Sequence, residues 1–196
     1  LRSDPTILAF DTSAAHCAAA LLRGDKIVAS CAEPMTRGQA ERLMPLLQEV
    51  LTENDCTWQS LDGIGVGIGP GNFTGIRISV SAARGLALGL GVPAVGVSGF
   101  DALAELAPPG HLPAIPAPRD QVYLQIHGAP PRLTSRQDAA ATGPLYFCDQ
   151  PEQQARAIAW VAARRLAETQ APPAPLYVRP ADAAPSSDVP PVLLDE

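Results

Sequence analysis

Apolar residues fall first in short runs and then in longer periodic stretches. Residues 6–10, 17–22 and 26–31 read as strands, the last two joined by a hairpin turn at Gly24-Asp25. From 39 to 52, Ala40, Leu43, Leu47, Val50 and Leu51 keep the spacing of an amphipathic helix, and Met44 widens the stripe. Pro45 lies inside this pattern. A proline has no N–H and crowds the preceding turn, so the helix is either kinked there or begins there. Strict alternation follows. Ile64, Val66 and Ile68 fall on one face of a strand, and Gly63, Gly65, Gly67 and Gly69 on the other. A bare face loses packing and costs entropy, so another backbone, a helix or a ligand must come very close to it.

Gly69-Pro70-Gly71 ends that strand, and Asn72 or Thr74 can cap the helix expected over 74–90. Ile76, Val80, Ala83 and Ala87 form one apolar line on this helix. Ser81, Gly85 and Gly89 form a second, small-residue line at i, i+4, i+8. Each helical glycine costs about 1 kcal/mol against alanine. The stripe therefore points to close approach by another helix, in the core or on a partner. Residues 93–97 read as a buried strand. Ser98 then caps a helix to 106, with Asp101 at the capping-box position and Phe100, Leu103 and Ala104 inward. This order predicts an α/β domain, a mixed sheet with helices on its faces.

Pro108-Pro109-Gly110 is a composition break. Beyond it, 122–127 and 145–148 read as strands, and 151–168 as a helix with Ala155, Ile158, Ala159, Ala162 and Leu166 inward. Prolines dominate 171–196, where only 176–178 resembles a strand. The expected organisation is an N-terminal lobe over 1–106, a smaller lobe over 107–180 and an extended Pro-rich tail over 181–196.

The 196 residues are 46% apolar, enough for a substantial core. A net charge of -6 argues against unaided binding to nucleic acid or to an anionic membrane. The four cysteines are scattered, without CxxC spacing, which fits a reducing, cytoplasmic setting. No apolar run reaches membrane-spanning length, and the N-terminus has no signal-peptide pattern. None of the three histidines forms an HxxxH or HExxH pair, so no metal site of that kind is expected. Two stretches carry candidate chemistry. The polar turn Asp11-Thr12-Ser13 can hold a phosphate or a metal-bound water, or can satisfy its own backbone. The glycine turn leading into the helix at 74–90 can offer free N–H groups to an anion, although no GK[ST] follows.

Phe10-Asp11-Thr12-Ser13, Ala40-Glu41-Arg42-Leu43-Met44-Pro45, the GPGNFTGIRIS block and Gly85-Leu86-Ala87-Leu88-Gly89 together resemble the TsaB (YeaZ) family, the bacterial paralogue of the TsaD family. The likeness covers residues 6–106. A weaker one, Tyr177-Val178-Arg179, is similar to the family's C-terminal YxR element. The resemblance implies an actin-like ATPase (ASKHA, ribonuclease H-like) fold of two lobes, the second one reduced here. It implies a non-catalytic subunit of the complex that makes threonylcarbamoyladenosine on tRNA. Its partners would be a TsaD-like transferase and a TsaE-like ATPase, or a second copy when alone, with tRNA reached only through the complex. It assigns the partner interface to Ala40, Leu43, Met44, Leu47, Ser81, Gly85 and Gly89. Asp11, Thr12, Ser13, Gly69, Gly71, Asn72 and Thr74 become a nucleotide or phosphate site or the remnant of one, with ATP or ADP expected only in the complex. The helix at 39–52 has no histidine, so transfer chemistry and the metallopeptidase label of some relatives are not expected. A small-molecule kinase of the ASKHA class is the enzymatic alternative.

Overall fold

The computed structural model describes residues 4–126, 128–168 and 171–178. The chain opens with β1 (Thr6–Asp11), β2 (His16–Arg23) and β3 (Lys26–Pro34), followed by α1 (Gln39–Thr52). After a 3-10 turn at Trp58–Ser60 come β4 (Gly63–Gly67), α2 (Phe73–Leu90), β5 (Ala94–Val97) and α3 (Gly99–Ala104). The five strands form one sheet in the order β3-β2-β1-β4-β5. β1 runs antiparallel to β2 and parallel to β4, which pairs parallel with β5. This is the mixed sheet expected from the pattern, with Phe10 in register with Val66 and Gly67 with Val97.

Alternate residues of the strands feed two cores. Leu8, Phe10, Leu21, Ile64 and Val66 pack under α1 and α2. Ile7, Ala9, Ala18, Ala20, Leu22 and Val97 pack on the other face, against a helix from far along the chain, α5 (Pro151–Arg165). That helix accounts for the bare face of β4. A methyl at Gly65 would lie 2.9 Å from Ala162 Cβ, and one at Gly63 would run into Leu166. The proposed division at residue 106 is therefore corrected. Residues 151–165 belong with the first sheet, because the glycine face of β4 admits their backbone and Ile158 and Ala162 fill the space.

The second sheet has the order β8-β7-β6-β9, built from β6 (Leu112–Ala117), β7 (Gln121–Leu124), β8 (Arg132–Ser135) and β9 (Leu145–Tyr146). The short α4 (Arg136–Ala140) brings Ala139 onto a small core of Ala114, Val122 and Leu124. β6 was not anticipated, because Pro113 and Pro116 argue against a strand. Each proline is tolerated because it is paired on one side only. Pro113 faces β9, and Pro116 faces β7.

Three further expectations change. α1 runs from Gln39 through the exposed Pro45 to Thr52, so it does not begin at the proline. α3 stops at Ala104, which is exposed, and Ala102 takes the buried position instead. Residues 176–178 form no strand, although the Leu176 N–H donates to Ile68 O at 2.8 Å. His127, Arg179, Pro180 and the tail 181–196 lie outside the described residues.

Candidate functional site

Two regions concentrate the sequence candidates: the turn after β1 with the loop before α2, and the outer face of α1 and α2. At the first, Asp11 closes β1 and is almost fully buried. Its Oδ2 accepts from Ser13 N at 3.2 Å, Ser13 Oγ at 2.9 Å and His16 Nε2 at 2.9 Å. Its Oδ1 has no hydrogen-bond partner among the described residues and lies against the bare position of Gly67. The Thr12 hydroxyl donates to Gly75 O at 2.6 Å, and the Asn72 N–H donates to Ser13 O at 2.6 Å. Asn72, not Thr74, is the cap of α2, since its Oδ1 accepts from Gly75 N at 2.8 Å. A side chain at Gly71 would strike the Ser13 carbonyl, and one at Gly75 the Thr12 carbonyl. Gly69 takes the left-handed conformation (φ 94°), and its carbonyl receives the Gly99 N–H at 2.8 Å.

These contacts join the two loops to each other. The Thr12 and Ser13 hydroxyls and the Asn72 and Gly75 N–H groups are thereby hydrogen-bonded within the two loops. Of the seven nucleotide candidates, Ser13, Gly71 and Asn72 line the neighbouring cleft of about 810 Å³. Asp11 and Thr12 are buried beneath it, Gly69 is buried at the turn, and Thr74 is exposed on the helix. The cleft lies between the lobes, and its far walls bring in Ile115, Tyr123 and Cys148. Burial pushes the Cys148 thiol up from its ordinary pKa, which disfavours the thiolate. Sequence reasoning missed His16, which lines this cleft while bonded to Asp11. Pair spacing could not find it, but its place just past the polar turn was a usable signal.

The second region is open. A methyl at Gly85 or Gly89 would meet no atom of the described residues within 4 Å, and Ser81 is exposed beside them. Leu88, on the same stretch of α2, is 86% exposed. The opposite line, Ile76, Val80 and Ala83, is buried against the sheet. On α1, Ala40 and Met44 are exposed. Leu43 and Leu47 are not, at 1% and 0% exposure, and both pack into the core under β1 and β2. Their assignment to a partner interface is corrected, because they form the inward line of the stripe that Met44 merely flanks. Arg42 braces this helix, with Nε donating to Glu33 at 2.7 Å and Nη1 to Glu49 at 2.7 Å. Those bonds hold both carboxyls below their ordinary pKa.

The family model described as TsaD, tRNA N6-adenosine threonylcarbamoyltransferase, matches residues 32–146, more than half of the chain. A solved structure of an uncharacterized protein with similarity to peptidase YEAZ, from Pseudomonas aeruginosa, is 29% identical. It aligns over 89% of this chain and 100% of that one, with a TM-score of 0.69. The chain belongs to the TsaB (YeaZ) branch of the TsaD family. YeaZ from Pseudomonas aeruginosa aligns similarly, at 27% identity over 88% of this chain and 99% of that one, with a TM-score of 0.68. No curated protein sequence matches. The fold is accordingly the actin-like ASKHA type, two sheets flanked by helices. Among the described residues of this TsaB-like chain, no group of three or more His, Cys, Asp or Glu could hold a metal ion. No described helix is long and apolar enough to cross a membrane.

Proposed function

We propose that this chain is a non-catalytic, TsaB-like subunit of the complex that makes threonylcarbamoyladenosine on tRNA. It pairs with a TsaD-like transferase through the outer face of α1 and α2. The observation that carries this reading is the open stripe Ser81, Gly85, Gly89, with Leu88 exposed beside it. Two glycines within a helix are costly, and no atom of the described residues comes within 4 Å of where their Cβ would lie. A second helix laid along the stripe would use that space. Ala40 and Met44 on α1 extend the contact.

In this reading the transfer chemistry belongs to the TsaD-like partner, and a TsaE-like ATPase joins the assembly. ATP or ADP enters only through the assembled complex, and tRNA is reached indirectly, in keeping with the net charge of -6. Alone, the same face pairs two copies, and the setting is cytoplasmic.

Size-exclusion chromatography with light scattering, on this chain alone and mixed with a TsaD-like protein from the same organism, tests the reading. A one-to-one complex lost on Gly85→Leu supports it. No complex, with or without ATP, sinks it and turns attention to phosphoryl transfer by the ASKHA-type kinase alternative.

A further inference from the structure

Residues 171–178 are placed so that one short segment walls two separate cavities. Leu176, Tyr177 and Val178 close one side of the interlobe cleft. Pro172 and Pro173 close one side of a groove of about 540 Å³ beside Arg84, Gly85 and Leu88 of α2. The segment reads Ala-Pro-Pro-Ala-Pro-Leu-Tyr-Val. Prolines at 172, 173 and 175 have no N–H, so its first half cannot be bonded onto a sheet edge as a regular strand. Proline-rich chain is instead a stiff, extended rod.

That rod is held at three seats. At the groove end Pro173 rests on Gly96, where a methyl would lie 3.5 Å from Pro173 Cβ. In the middle the Leu176 N–H donates to Ile68 O, and the Leu176 carbonyl lies over Gly69. At the cleft end the Tyr177 ring stacks on Phe73, with centroids 4.7 Å apart. Arg77 lies 4.2 Å over that same Phe73 ring and donates to Tyr177 Oη at 3.1 Å. All three seats stand on the β4–α2 unit or on β5 beside it.

We propose that residues 171–178 act as a lever coupling the two cavities, so that a change at the cleft end alters the groove beside α2. The proline-stiffened stretch 172–175 passes a displacement at Leu176 and Tyr177 on to Pro173 when the Tyr177 seat is lost. Whatever settles in the cleft against Tyr177 then changes the wall next to Gly85 and Leu88. The coupling is a property of this chain alone and does not depend on which molecule α2 pairs with.

The test places a thiol under the groove end and disturbs the other end. In the full chain carrying Gly96→Cys, native-state labelling of residue 96 is followed by peptide mass spectrometry, with and without Tyr177→Ala. The expected result is labelling at least tenfold faster with Tyr177→Ala, while the core thiol Cys17 stays protected. An unchanged rate at residue 96 overturns the proposal, because the two ends then move independently. A methyl at Gly96 already approaches Ile68 Cγ2 to 3.0 Å, so a second measurement leaves Gly96 intact. Hydrogen exchange of the Tyr177→Ala chain is read over 93–98 and at Leu176. Faster exchange at both supports the lever, and faster exchange at Leu176 alone refutes it.

Discussion

His16 Nε2 donates to Asp11 Oδ2 at 2.9 Å across the turn that joins β1 to β2, and both side chains are buried. The same oxygen takes both donors of Ser13. Asp11 therefore organises the turn before it can serve any ligand. Asp11→Ala should strip three buried donors of their acceptor and destabilise the protein by about 2–4 kcal/mol. Asp11→Asn keeps one oxygen for those donors and puts its amide at Oδ1, which has no partner among the described residues. Its cost should be smaller, about 1–2 kcal/mol. Urea denaturation of the three proteins checks the order, and an Asp11→Ala midpoint equal to the parent's would refute the structural role.

Gly65 makes a sharper case further along the same face of the sheet. Its missing side chain would meet Ala162 Cβ at 2.9 Å and Ala9 Cβ at 3.2 Å, both fixed by buried backbone. Gly65→Ala should cost about 1–3 kcal/mol through overpacking. Ala162→Gly should recover part of that loss in the double mutant, with a coupling of at least about 0.5 kcal/mol. Additive losses in denaturant would mean that α5 shifts freely and that the bare face of β4 has another cause.

These two positions also show how far the sequence could be read. Alternation along β4 announced that something must approach its glycines, but nothing local named α5, nearly a hundred residues later. The first sheet was legible because each strand carries its own pattern. β6 was not, since its prolines are acceptable only when it is known which side pairs. The Asp-Thr-Ser turn could be read as holding a phosphate or as satisfying its own backbone, and the Thr12 hydroxyl instead donates to a carbonyl 63 residues away. The stripe on α2 was legible as a face without a Cβ, while its openness to solvent could come only from the packed structure.

Gly85 offers a prediction of opposite sign for folding and for pairing. A Cβ there meets no described atom within 4 Å, and the substitution replaces a poor helix former. Gly85→Leu should leave the monomer as stable as the parent, or up to about 1 kcal/mol more stable. The same change should abolish helix-face pairing in light scattering. A fall in the monomer's Tm would place the stripe in the chain's own core and end the interface reading.

The last prediction concerns acid. Burial pushes the Asp101 carboxyl up, but hydrogen bonds from Arg165 and Ser98 outweigh it and leave the pKa below its ordinary value. Arg165 Nη1 donates to Asp101 Oδ2 at 3.1 Å, and Ser98 Oγ donates to the same atom at 2.8 Å. This pair joins α3 to α5, and so the loop after β5 to the helix that covers the sheet. A carboxyl whose pKa is depressed on folding stabilises the protein fully above its unfolded pKa, near pH 4. That stabilisation is lost as pH falls through the lower folded value. Asp101→Asn keeps the Ser98 contact but removes the charge facing Arg165. At pH 7 the parent should exceed it by about 0.5–1 kcal/mol, since both side chains are more than a third exposed and solvent screens the pair. The gap should close below pH 4 and narrow in high salt. A gap that stays constant from pH 7 down to the acid transition would assign the effect to capping geometry and remove the ion pair from the account.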